Sequence, residues 1–149
     1  MTAMWRNRNS RHRRSSGAAV LDMALVLPIL LALAFGTVEF GYYFYVKHNV
    51  QAAAREGARA GIVPSATNQN VTDAVLASMQ AAGFNSTQYT VAITDTATPA
   101  VAINVATVTA GTAVKVTVTC NWGTVGMRPL GLIGSSKNVV GATVMRKEG

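Results

Sequence analysis

At 149 residues the chain is within the range of a single domain, and half of its residues are apolar. The net charge of +7 is local: Arg6, Arg8, Arg11, Arg13 and Arg14 give residues 1–17 a charge of +5 without one acid, leaving +2 for the rest. That distribution argues against a nucleic-acid surface, which would spread its cations over a folded face or interleave them with aromatics; this arm has Trp5 alone.

The first element after the arm is apolar. Residues 18–38 carry a single charge, Asp22, and a helix of that length covers roughly 30 Å, the thickness of bilayer hydrocarbon. A core helix of a soluble domain is usually shorter and keeps a polar stripe, so the pattern predicts a membrane span. The arginines precede it, and only Lys47, Arg55 and Arg59 are cationic in the segment that follows Glu39. The positive-inside rule therefore puts the N-terminus in the cytoplasm and the remainder outside. Tyr42, Tyr43 and Tyr45 fall where an aromatic belt would meet the outer interface, and Glu39 marks the same boundary.

A basic arm before an apolar run is also the pattern of a removable leader, and three cuts compete. Ala32-Leu33-Ala34 is an A-x-A pattern whose cleavage would release a soluble binding domain beginning at Phe35. Arg13-Arg14 suggests a twin-arginine signal, but "RRSSG" lacks the apolar residues expected just after the pair. Gly17 is a small residue between arm and span, with the Asp22 carboxylate five positions later.

The stretch "GAAVLDMALVLPILLALAFGTVEFGYYFYVKHNVQAAAREGARAG" resembles the TadE family of tight-adherence pilus proteins, within the type IV pilin superfamily. The likeness is concentrated in "LVLP", "FGTVEFG" and "AAREGARAG", and "GATVMRKEG" is similar to the family's closing strand. The resemblance implies cleavage by a prepilin peptidase after Gly17, which makes Ala18 the mature N-terminus and Asp22 its fifth residue. It implies other pilin-like subunits and the pilus assembly machinery as partners. One departure is that Asp22-Met23 stands where the family usually has glutamate and an aromatic.

A charge at mid-bilayer costs on the order of 3 kcal/mol on insertion scales, so Asp22 needs a compensation. In a pilin-like stack the α-amino group of a neighbouring Ala18 supplies an opposite charge. Alternatively, the carboxylate answers only the positive end of the helix macrodipole and reaches interfacial water. Glu39 lies 17 residues on, about 26 Å along the axis, at the opposite interface. Pro28 lacks an amide proton and is expected to kink or loosen the rod.

Lys47 to Gly61 continues as helix, with Ala53, Gly57 and Gly61 forming a smooth ridge for close packing, and Val63-Pro64 ends it. A short helix over "VTDAVLASMQAAG" follows, with Val75 and Met79 on one side and Gly83 as stop. The period then becomes two, predicting strands at Tyr89–Ile93, Val101–Val105, Val114–Val118 and Val140–Val144, joined as antiparallel hairpins. The connection between residues 121 and 136 contains "GMRPLGLIG", read as an apolar plug for the core or as a partner contact.

Catalytic groupings are absent from the pattern. His12 and His48 are isolated, as are Asp73 and Asp95, and nothing has metal-ligand spacing. Cys120 shares the parity of Val114, Val116 and Val118, which turns it into the core, and alone it makes no intrachain disulfide.

The expected architecture is α+β: a basic leader (1–17), a helix half in lipid and half outside (18–61), and an extracytoplasmic domain with a small antiparallel sheet (62–149). The expected role is that of a non-enzymatic pilin-like protein of the bacterial cytoplasmic membrane that assembles or primes a tight-adherence pilus, without cofactor, nucleic acid or small-molecule substrate. A soluble domain released after Ala34 and an unprocessed single-span envelope assembly factor are the alternatives. If the orientation is as read, a reporter fused after Gly149 will be active only when it is one that functions outside the cytoplasm; activity of a cytoplasmic reporter there would overturn the topology.

Overall fold

The computed structural model describes residues 12–148; the arm up to residue 11, with Arg6, Arg8 and Arg11, lies outside the described residues. Helix α1, His12–Gly61, is 50 residues long, roughly 75 Å at the usual rise. It begins before Ala18, where the leader was expected to end, because Gly17 weakens a helix without breaking it. The helix runs unbroken through Pro28.

The two halves of α1 differ in what they touch. Every side chain from Gly17 to Phe35 is exposed, whereas Glu39, Val46, Val50, Ala53, Ala54, Gly57, Ala58 and Gly61 are buried. The buried positions recur at three or four residues and so line one stripe of the outer half.

Helix α2, Asn68–Ala81, packs on that stripe through Val71, Val75 and Met79. Thr67 caps it: the Thr67 hydroxyl accepts from Asn70 N–H, and the Asn70 side chain accepts from Thr67 N–H, a reciprocal capping box. Gly83, at φ +81°, stops it as expected. The ridge of small residues on α1 is what admits α2, because a Cβ on Gly57 would lie 2.6 Å from Val75 Cγ2 and one on Gly61 2.9 Å from Val71 Cγ2.

Three strands form one antiparallel sheet in the order β1 (Tyr89–Asp95), β2 (Ala113–Asn121), β3 (Asn138–Arg146). In β2, Val114, Val116, Val118 and Cys120 are fully buried and alternate with Lys115, Thr117 and Thr119. The strand thus presents one apolar face to α1. Gly141 in β3 makes the closest approach: a Cβ there would lie 2.5 Å from the Val50 carbonyl oxygen and 2.7 Å from Gln51 N. Beside it the Gln51 carboxamide donates to Ala142 O (2.9 Å) and accepts from Ala142 N–H (3.3 Å), and the Lys47 ammonium donates to Val140 O. Beyond β3, the Lys147 ammonium reaches the end of α1, donating to Gly61 O (3.3 Å) and Val63 O (2.5 Å).

Two readings of the outer domain are corrected. Val101–Val105 is no strand; it contributes only an isolated bridge between Thr94 and Ala102, and β1 pairs directly with β2. The cause is Asn68, whose side chain donates to Ile103 O (2.9 Å) and accepts from Val105 N–H (2.8 Å). Those are backbone groups that a ladder partner would otherwise take. Val105 still fills the core, fully buried, from a loop. The hairpin expected near Pro99 is accordingly replaced by a long connection between β1 and β2.

The contact at Gly141 should be a point of failure. Gly141→Ala is expected to lower unfolding stability in detergent by about 1–3 kcal/mol through overpacking. Gly41→Ala, where a Cβ meets nothing within 4 Å, should be neutral or slightly stabilising, as alanine is in a helix. Equal behaviour of the two variants would refute the close approach.

Candidate functional site

Two groups of residues on α1 stand apart from ordinary core packing. The first is the bare half. Gly17 has open space around it, since a Cβ there would meet nothing within 4 Å, and Ala18 and Asp22 are exposed. Asp22 lies about 26 Å along the axis from Glu39, so the fold brings neither Gly17, Ala18 nor Asp22 to the outer domain. The surrounding window has a mean hydropathy of 2.5 and no residue buried inside the protein, which makes α1 long and apolar enough to cross a membrane.

The second group surrounds Glu39. Expected as a boundary residue, it is also a fully buried carboxylate and the anchor of a loop. Its Oε1 accepts from Ile133 N–H (2.7 Å) and its Oε2 from Leu130 N–H (3.2 Å). Between the two donors Gly131 adopts φ +66°, a left-handed turn that wraps the backbone around the carboxylate. A buried carboxylate without donors would be strongly unfavourable, and two charge-assisted hydrogen bonds supply them. Sequence reasoning missed this pairing because Glu39 and the loop are over ninety residues apart, and the only signal was a carboxylate at the end of an apolar run.

The loop itself corrects the plug reading. Ile133 packs against the core, but Met127, Leu130 and Leu132 are 55%, 41% and 58% exposed. Leu132 leans on the helix instead, with its Cδ1 3.6 Å from where a Gly36 Cβ would stand. Between β2 and the loop a single helical turn, α3 (Trp122–Val125), starts at Asn121, whose side chain accepts from Gly123 N–H.

The tyrosines are engaged by the folded domain. Tyr42 and Tyr43 are half-buried, their ring centroids 6.0 and 5.3 Å from that of the fully buried Trp122. Tyr45 stacks on Tyr42 and donates its hydroxyl proton to Ala82 O (3.0 Å). The Tyr45 hydroxyl and the rings of Tyr42 and Tyr43 therefore fasten α1 to the end of α2 and to α3.

Two carboxylates of the outer domain serve local structure: Asp73 accepts from the Gln69 side chain and Asp95 from Ala97 N–H. Burial pushes the Cys120 thiol up to about 11 and so keeps it protonated near neutral pH. Burial, and to a lesser extent Cys120, raises the neighbouring Tyr89 hydroxyl. Among the described residues no three His, Cys, Asp or Glu side chains are gathered to hold a metal ion.

Comparison with known proteins finds no matching curated protein and no matching solved structure. A family model does match, over residues 17–59, which runs from the glycine before the bare half of α1 to the ridge that packs α2. The matched segment holds Asp22, Glu39, Tyr42, Tyr43 and Tyr45, and over these residues the chain is similar to the family described as TadE-like protein.

Proposed function

We propose that this protein is a non-enzymatic, pilin-like subunit that assembles or primes a tight-adherence pilus from the bacterial cytoplasmic membrane. Similarity to the TadE-like family supports the pilus context. The single observation that carries the finer reading is the bare half of α1, where Gly17 to Phe35 is exposed, apolar and charged only at Asp22. A helix left so uncovered suits two successive environments, lipid before assembly and neighbouring helices after it. Residues 1–17 form the cytoplasmic leader, and Glu39 with Tyr42, Tyr43 and Tyr45 marks the outer boundary.

In this reading a prepilin peptidase cuts between Gly17 and Ala18. The bond lies inside α1, but glycine destabilises a helix interior by roughly 0.5–1 kcal/mol relative to alanine and makes the helix easier to unwind there. The new α-amine of Ala18 then neutralises Asp22 of an adjacent subunit.

One observation also favours release after Ala34: residues before Phe35 make no buried contact with the domain, so that cut would leave the core intact. It would, however, strand Phe35, Val38 and Phe40 on a soluble surface, each more than 40% exposed. Intact mass decides among the schemes. Prepilin processing should give a chain beginning at Ala18, against Phe35 for signal peptidase and Met1 for an unprocessed envelope factor. Gly17→Leu should abolish the Ala18 species while leaving membrane insertion unchanged; an unaltered mature N-terminus would exclude Gly17 as the site.

The role of Asp22 is tested by three substitutions at matched membrane levels, read as surface piliation and co-purification with pilus components. Asp22→Ala should insert at least as well as the wild type, since it removes a cost of up to about 3 kcal/mol. It should nevertheless fail to assemble, because the partner ammonium is left unpaired in a low-dielectric contact. Asp22→Glu should assemble and Asp22→Asn should not, since only the former keeps the charge. Normal piliation by Asp22→Ala would reduce the carboxylate to a helix-end residue.

A further inference from the structure

We infer that the loop between α3 and β3 is a second membrane-contact element, which lays Met127, Leu130 and Leu132 into the outer leaflet beside α1 while Glu39 holds it in place. The inference rests on the reading of α1 as a membrane span and adds lipid as the ligand of a loop far away in sequence.

Position is the first argument. Leu132 abuts Gly36, which lies about 27 Å from Ala18 along the axis and so still within a hydrocarbon layer of roughly 30 Å that starts there. At this level α1 is itself apolar and uncovered at Phe35, Val38 and Phe40. The loop continues that surface, and an apolar side chain at this depth meets whatever surrounds the helix.

The backbone supplies the second argument. Irregular chain near a membrane costs less for each of its polar groups that protein satisfies. Here the N–H groups of Leu130 and Ile133, which flank the tip, are both taken by the Glu39 carboxylate. Pro129, between Arg128 and Leu130, has no N–H to satisfy. In a loop facing water, a fully buried carboxylate would be an expensive way to hold two amides that water could hydrate. The third argument is charge: exposed Arg128 adjoins the apolar tip and can meet lipid phosphate, as cations do beside interfacial apolar groups.

The full chain carrying Leu132→Cys, Val26→Cys or Val144→Cys is labelled with a nitroxide and reconstituted in vesicles of phosphatidylethanolamine and phosphatidylglycerol. Relaxation by oxygen, which partitions into lipid, is compared with relaxation by a water-soluble nickel chelate. Cys120 is buried, and the unsubstituted chain measures its background. Oxygen should exceed nickel several-fold at Leu132, as at Val26 in mid-span, with the opposite order at Val144 on the sheet. Adding Glu39→Ala should move the Leu132 label toward the nickel reagent and leave Val26 unchanged. Should Val26 lie in lipid while Leu132 behaves like Val144, the loop is in water and the inference falls, though the span stands. Exclusion of both reagents at Leu132 would mean that protein covers the loop, which also overturns it. If Val26 itself reports water, the span reading fails and takes this inference with it.

Discussion

Gly141 lets the backbone of β3 lie against that of α1 at Val50 and Gln51, and the outer domain is arranged around that contact. A side chain at this position would hold the strand off the helix. The Gln51 carboxamide would then lose its paired hydrogen bonds to Ala142, and the valine face of β2 would lose the surface on which it is buried. Lys47 and Lys147 bind the same assembly at its two ends, one to β3 and the other to the terminal carbonyls of α1. A cation at the carbonyl end of a helix also meets the favourable sign of its dipole. The helix is thus the spine of the domain rather than a tether to it.

One continuous helix consequently presents two kinds of surface. Its inner half has no contact with the domain and is apolar around its whole circumference, which suits lipid and would aggregate in water. Its outer half is amphipathic in another way: the buried stripe is made of valine, alanine and glycine, whose small size brings α2 and β3 close, while Arg55, Glu56 and Arg59 face outward. The change occurs within one turn at Glu39, without a hinge or break. No boundary between the bare half and the domain is written in the backbone; it exists only in what the side chains meet.

Glu39 sits at that change and joins both sides. Its two oxygens each hold one amide of a loop that comes from the far end of the sequence, and Leu132 of that loop lies against the helix at Gly36. In the segment that matches the family model this sets Glu39 against Asp22: one carboxylate is satisfied within the chain, and the other is exposed.

What the sequence by itself determined was everything local or periodic. A run of 21 residues charged only at Asp22 marked a helix apolar enough to span a membrane, Ala53, Gly57 and Gly61 marked a close-packing ridge, alternation at Val114 to Cys120 marked the central strand and its buried face, and Gly83 marked the end of α2. The family resemblance was equally legible, because "FGTVEFG" and "AAREGARAG" are contiguous words in the chain. Tertiary structure alone decided the remainder. Val101 to Val105 alternates as a strand does, yet Asn68 captures its backbone groups from another element, and periodicity has no means of registering such a competitor. The apolar loop read as a plug more readily than as a contact, whereas in the fold Glu39 holds two of its amides and leaves Met127, Leu130 and Leu132 exposed. Burial of a carboxylate depends on donors supplied from across the fold, and their distance in sequence leaves no local trace.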